Sequence, residues 1–414
     1  MKKFLGTSRF ENIFVLYFLF LPIVKIKRTD FRIKIYLFGL RILVIMVKPT
    51  RGELTITSCQ NMYVYFDHGL GGGTETYFFN KLKTHNLSET VLRIQEINQQ
   101  YKLSIFSQNN CFEIFCNLKE LENILLNIKD SQIVINNLVS YTKILHIFKL
   151  LKNLKNQNNK IIVKGHDYYS ICPSWHLINK LGQYCYLPDE IKCQDCYINN
   201  NYIELRSIKN LKEIKEWRKI WGEFYISTVD ELIVFSNSSK LLFKKTYPFL
   251  ENKISVISHD VEYFSKKLPL TRKTEYPDYI NIVILGTLTH IKGREIILEI
   301  ANLTKKEPYK NVKLTIIGDC TKKTNLYTTG KYKREDLPDL IEQCNADIVF
   351  ISSIVPETFS YTISEAMSLD LPIASFNLGA QAEKLLKYDK GLIISKICPQ
   401  AALEEIINFV KKIC

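Results

Sequence analysis

Short apolar runs alternate with helical stretches along most of this chain, and the alternation stops once and begins again. Strand-like runs stand at 62–66, 103–106, 133–136, 161–165, 231–236 and 254–258, with helical stretches such as 75–83 and 142–155 among them. A polar segment with two prolines follows at 259–280. New strand-like runs then appear at 281–286, 312–318, 347–352 and 371–376, separated by helices near 293–303, 335–344 and from about 361. Short apolar strands alternating with helices predict a parallel sheet covered on both faces. Two such series predict two doubly wound α/β domains facing a cleft, with ligands at the carboxyl ends of the strands. The expected division is an N-terminal extension at 1–59, a domain at 60–258 with an insert at 166–200, a linker at 259–280, a second domain at 281–400 and a final helix at 401–414. The 414 residues are too many for one compact core.

The net charge of +14 is concentrated at the start. Residues 1–60 hold eleven Lys and Arg against the acids Glu11, Asp30 and Glu53. Apolar runs at 12–24 and 35–47 flank the basic residues, and each is shorter than the roughly 20 residues that span a bilayer. Two readings stay open: segments lying on an anionic membrane surface, or a pair of helices packed on the protein itself. Zinc-finger, RNA-recognition and basic-zipper patterns are all missing, which argues against a nucleic-acid partner.

Three motifs carry chemistry. His68-Gly69-Leu70-Gly71-Gly72-Gly73-Thr74-Glu75 follows the 62–66 strand and opens a helix, where glycines let the backbone approach a ligand and free amides face an anion. Thr74 stands where a dinucleotide fingerprint has its third glycine. Pro356-Glu357-Thr358-Phe359-Ser360-Tyr361-Thr362-Ile363-Ser364-Glu365 follows the 347–352 strand. Its two glutamates bracket a helix start whose amides at Ser360, Tyr361 and Thr362 suit a diphosphate, and carboxylates suit sugar hydroxyls. Lys292-Gly293 follows the 281–286 strand and can reach phosphate as a point charge. Taken singly, each motif is also explained as a tight turn or a solvated surface residue.

Together, and in this order, these residues resemble the retaining glycosyltransferases with two Rossmann-like domains (GT-B type; glycosyl transferases group 1, family-4-like) that build O-antigen, capsule and related polysaccharides. The glutamate pair is that family's most specific signature, and Ser236-Asn237-Ser238-Ser239 agrees with it. The resemblance spans about residues 60–400. It implies that Glu365 binds the donor ribose, Glu357 the transferred sugar, and Lys292 with the amides near Ser360 the diphosphate. It further implies that Gly72 and Gly73 permit domain closure, that His166 lies in the cleft beside the sugar, and that Gly318 and Tyr332 flank the base. His166 would orient the sugar and would not bind metal. Two positions depart from the family: Thr287 replaces a usual arginine, and Ser360 a frequent glycine. The implied chemistry is front-face transfer with retention, to a growing glycan or lipid-linked acceptor, without a catalytic cofactor. The implied location is cytoplasmic, peripheral at the inner membrane face. Two alternatives remain: a nucleotide-sugar 2-epimerase of the same architecture, or a non-catalytic partner in polysaccharide assembly.

Of eleven cysteines, Cys172, Cys185, Cys193 and Cys196 cluster in the insert beside His166. Four thiols ending in Cys-x-x-Cys suit a structural zinc, while buried thiols or a redox pair also fit the irregular spacing.

Overall fold

The computed structural model describes residues 62–413 apart from 86–88, 108–109, 204–210, 262 and 269–278, and before residue 62 the backbone of six strands. Five of those strands, β1 (Leu5–Phe10), β2 (Ile13–Phe18), β3 (Leu21–Thr29), β4 (Arg32–Leu37) and β5 (Leu40–Met46), form an antiparallel meander that, among the described residues, is a sheet of its own. The described parts of the two apolar runs are therefore extended, which removes the reading of a pair of packed helices. Ile, Val, Phe and Tyr dominate them, residue types that favour a pleated strand. Pro22 sits where the β2–β3 register shifts, the kind of position a sheet allows proline.

The first large unit runs β6 (Cys59–Gln60), β7 (Tyr63–Asp67), α1 (Gly73–Thr84), β8 (Val91–Ile97), β9 (Gln100–Ser107), β10 (Asn110–Cys116), α2 (Leu118–Leu125), β11 (Ile128–Lys129), β12 (Gln132–Ile135), α3 (Ile144–Lys155), β13 (Lys160–Lys164), α4 (Glu190–Asn199), α5 (Ile214–Ser227), β14 (Glu231–Val234), α6 (Asn237–Thr246) and β15 (Ile254–Val256). Its sheet has the order β10-β9-β8-β7-β12-β13-β14-β15. The six strands from β8 to β15 are parallel, and β9 and β10 extend the edge antiparallel. The central strands are buried along nearly their whole length, as a sheet covered on both faces requires.

The second unit runs β16 (Ile280–Leu285), α7 (Arg294–Leu303), β17 (Val312–Ile317), β18 (Tyr327–Thr328), α8 (Leu337–Gln343), β19 (Ile348–Ile351), α9 (Tyr361–Ser368), β20 (Ile373–Phe376), α10 (Gly379–Leu385), β21 (Gly391–Ile394) and α11 (Pro399–Ile413). All six strands are parallel, in the order β18-β17-β16-β19-β20-β21. Separate apolar clusters pack on its two faces, one including Ile297 and Ile406 and the other Ile341 and Ile363. The chain is thus an α/β protein of two doubly wound sheets.

The two units touch through specific bonds. Glu383 in the last turn of α10 accepts from the Asn237 and Ser238 backbone amides and the Asn237 side chain at 2.8–3.0 Å, so it docks on the amino end of α6. Among the described residues, no helix is long and apolar enough to cross a membrane.

Candidate active site

β19 delivers the chain to Ser352 at the carboxyl edge of its sheet, and the turn to α9 carries Glu357. Ser360 holds φ +62°, a left-handed conformation that glycine adopts without cost. Glu357 is 9% exposed at its side chain, so its charge needs a partner. Lys292 Nζ donates to Glu357 Oε1 at 2.6 Å, and the Ser353 hydroxyl donates to the same oxygen. Burial pushes this carboxyl up, and Lys292 with the hydrogen bonds outweighs burial, leaving it below the usual range. Glu365, one turn into α9, accepts from Arg334 Nε at 2.8 Å. There burial wins over Arg334, and the carboxyl is held above its ordinary value.

The loop after β16 is latched onto the loop after β19. Ser352 Oγ donates to the Lys292 carbonyl at 2.7 Å. Gly293 has φ +81°, and a Cβ there would lie 2.0 Å from the Ser352 carbonyl oxygen. Only glycine permits this approach, which aims Lys292 at Glu357. Gly318 likewise admits the Gly286 backbone, at 2.1 Å from where its Cβ would be. Tyr332 is half-buried near Glu365; burial first, then that carboxylate, pushes its hydroxyl up to about 12.

Across the cleft, β7 ends at Asp67, which is buried and gripped by Arg93 Nε and Nη2 at 3.0 and 2.7 Å. Gln95 Nε2 donates to the His68 carbonyl at 2.8 Å, fixing the start of the glycine loop. Gly71 and Gly72 have φ of +76° and +84°. A Cβ on Gly73 would lie 3.4 Å from the Tyr361 ring, so this loop meets the start of α9. His166 Nε2 bonds Asn136 Oδ1 at 2.9 Å, and its ring packs against Tyr77 and Phe235 with centroids 4.8 and 4.6 Å away. Burial holds His166 neutral, well below the usual imidazole range. Thr358 Oγ1 donates to the His166 carbonyl at 3.0 Å, tying the glutamate loop to the other domain. The structure therefore gathers His166, Gly72, Gly73, Lys292, Glu357 and Ser360–Thr362 at one cleft, with Glu365, Gly318 and Tyr332 on the side of the second unit.

Two residues here carried no motif. His259, in the segment read as a linker, bonds the Tyr361 hydroxyl at 2.7 Å and stacks on Phe359 at 4.0 Å. Burial and the neighbouring Lys384 push its ring down to about 3. Lys384 Nζ stands 3.5 Å over the Phe359 ring centroid and donates to the Ser360 carbonyl at 3.1 Å. Burial lowers its ammonium to about 7. Sequence periodicity carried no sign of either, because both act through contacts across the cleft or within a short helix.

Cys172, Cys185, Cys193 and Cys196 line a single cavity of about 270 Å³ in the insert. As placed, no three His, Cys, Asp or Glu among the described residues form a metal-holding group.

Residues 270–412 match the family described as glycosyl transferases group 1. No curated protein matches the chain. Among solved structures, Anabaena Alr3699/HepE in complex with UDP is 13% identical, with a TM-score of 0.53 over 86% of this chain and 91% of that one. Sucrose-phosphate synthase from Thermosynechococcus elongatus is 12% identical, with a TM-score of 0.50 over 86% and 90%. At these identities the likeness concerns the fold. The match to glycosyl transferases group 1 thus lies in the second domain, and the two-sheet fold of the whole chain is similar to that of HepE and the sucrose-phosphate synthase.

Proposed function

We propose that this protein is a retaining glycosyltransferase that moves a sugar from a nucleotide-diphosphate donor to a glycan or lipid-linked acceptor. The observation that carries the reading is the paired arrangement Lys292–Glu357 and Arg334–Glu365 around the amino end of α9, facing the glycine loop. Glu365 accepts hydrogen bonds from the ribose hydroxyls, and Glu357 from hydroxyls of the transferred sugar. Lys292 and the α9 amides hold the diphosphate and stabilise the charge that grows on it as the anomeric bond breaks. Lys384 adds a cation on the same side, where Thr287 leaves the family's arginine missing. The departing phosphate oxygen takes the proton of the incoming hydroxyl, and the new bond forms on the face the donor left. His166, neutral and fixed by Asn136, orients the sugar without exchanging protons. The basic amino-terminal segment places the enzyme at an anionic membrane surface on the cytoplasmic side.

The test is a panel of nucleotide sugars, beginning with uridine diphosphate sugars because the HepE structure holds UDP. One donor should raise the melting temperature, as ligand binding to the folded state must. Incubating that donor with glycan and lipid-linked acceptors should then give a product whose anomeric configuration, read by NMR, matches the donor. Inversion would exclude the retaining mechanism. Conversion of the donor to its 2-epimer without transfer would assign the epimerase reading instead.

A further inference from the structure

Between Gly165 and Asp189 the chain has no helix or strand, only an isolated β-bridge between Ile178 and Tyr184. Its middle is nevertheless closed by hydrogen bonds. The Ser174 hydroxyl donates to the Ile178 carbonyl at 2.9 Å and accepts from the Ile178 amide at 3.2 Å. The Leu177 amide donates to the Ser174 carbonyl at 2.7 Å, and Leu177 turns at φ +57°. A residue other than glycine takes that conformation only where its surroundings demand it. From outside the turn, the Tyr168 amide donates to the Trp175 carbonyl at 3.0 Å and Asn200 Nδ2 to the Ile178 carbonyl at 2.7 Å. The turn so fixed carries Trp175 and His176, both part-buried.

This turn lies against the loop that bears Lys292. Ile178 packs in the apolar core of the second unit, the Gly182 carbonyl bonds His290 Nε2 at 2.7 Å, and Tyr202 stacks on the same ring at 5.4 Å. His290 is two residues from Lys292. The charges of the site reach His176 as well. Burial first, and then the Lys292 ammonium, push its ring down to about 4, against a smaller opposing pull from Glu357. His176 is therefore a neutral imidazole near pH 7.

Trp175 decides which nitrogen carries the proton. An indole N–H donates and cannot accept. Trp175 Nε1 stands 2.6 Å from His176 Nε2, so Nε2 is the acceptor. A neutral imidazole has one acceptor and one donor, which puts the proton on Nδ1. Among the described residues no partner takes that Nδ1–H, and the atom is not sealed from solvent.

We propose that His176 is a donor-contact residue: its Nδ1–H donates to a hydroxyl oxygen of the sugar held beside Lys292 and Glu357, and Trp175 is the positioning residue that fixes the tautomer able to do so. The inference rests on the glycosyltransferase reading. A neutral imidazole N–H only gives a hydrogen bond and a carboxylate only accepts one, whereas a hydroxyl does both. His176 and Glu357 are thus complementary to sugar hydroxyls. Neutrality matters too, because an imidazolium would compete with the sugar for Glu357. The insert thereby takes part in sugar selection from the first unit, across the cleft.

The test compares nucleotides with and without a sugar. Uridine, guanosine and thymidine diphosphates and their glucose and N-acetylglucosamine conjugates are titrated calorimetrically into the full chain. For the conjugate that binds, His176→Phe should weaken affinity roughly three- to tenfold, the range of a neutral hydrogen bond, and leave the matching nucleoside diphosphate unchanged. His176→Asn, whose amide N–H stands close to the place of Nδ1–H, should restore most of the loss. Should His176→Phe fail to fold, His176→Gln replaces it, because its amide reaches the place of Nε2 and should lose the same contact. Trp175→Phe should weaken conjugate binding in the wild-type background and have no further effect beside His176→Asn, where no tautomer needs fixing. A merely structural Trp175 would weaken binding equally in both. Equal conjugate affinity in wild type and His176→Phe, with the nucleoside diphosphate still bound, would overturn this inference alone. A parallel loss of the nucleoside diphosphate would also overturn it. A chain that binds none of these nucleotides fails the glycosyltransferase reading, and the inference falls with it.

Discussion

Lys292 Nζ sits 2.6 Å from Glu357 Oε1, so the cation assigned to the diphosphate is already spent on the carboxylate assigned to the sugar. A donor must divide this pair between its own groups. Removing the ammonium leaves a buried carboxylate uncompensated. Lys292→Met should therefore weaken donor binding at least tenfold and cost on the order of 1–2 kcal/mol of stability, less than a fully buried pair because Lys292 is part-exposed. The sign with pH follows from the depressed Glu357 carboxyl. Its contribution is complete above the unfolded carboxyl range and disappears as pH falls through the folded value. The difference in urea stability between wild type and Lys292→Met should be largest at neutral pH and shrink on acidification. An equal difference at pH 3 and pH 7 would contradict the pairing.

Glu365→Gln keeps the shape of the side chain and removes its charge. Hydrogen bonds to a charged group contribute about 1.5–3 kcal/mol, so affinity for the cognate nucleotide sugar should fall roughly tenfold to a hundredfold. Calorimetric titration measures it. Undiminished binding would remove Glu365 from the donor site.

Lys384 titrates where few lysines do, near 7. Between that value and the ordinary lysine range the unfolded chain binds more protons than the folded one, so stability rises with pH across this window. Lys384→Met should flatten that rise relative to wild type. The same ammonium should make donor affinity decline as pH passes about 7, and the variant should lose this dependence. Parallel pH profiles for the two proteins would rule out a charged role in the cleft.

Backbone geometry makes opposite predictions at two neighbouring turns. Gly293→Ala meets the Ser352 carbonyl and a left-handed φ, and should cost about 3 kcal/mol or more in urea unfolding. Ser360→Gly releases the strain at φ +62° and should leave stability equal or up to about 1 kcal/mol higher. Tolerance of the alanine would mean that the two loops are not latched.

Deleting residues 1–58 should release the protein from anionic vesicles while the rest stays folded, because eleven of its basic residues lie there. Cosedimentation of the shortened chain with such vesicles at physiological salt would place the contact elsewhere.

Local rules made much of this protein legible. The apolar runs at 281–286 and 347–352 became β16 and β19, and the polar gap after residue 258 separates two sheets. Lys292, Glu357 and Glu365 stood out in the sequence because strand-end turns and helix starts need particular residue types at short spacing, and the structure places them together. Tertiary packing decided the rest. His259 looked like linker until it stacked on Phe359, exactly a hundred residues on being no distance at all in the folded cleft. Lys384 lies in the last turn of a short helix, and only burial over an aromatic ring lowers its charge. The runs at 12–24 and 35–47 have lengths that suit either helix or strand, and strand pairing settled them as extended. Periodicity and turn chemistry are properties of a few consecutive residues, whereas burial, cross-cleft hydrogen bonds and strand pairing exist only once distant segments meet.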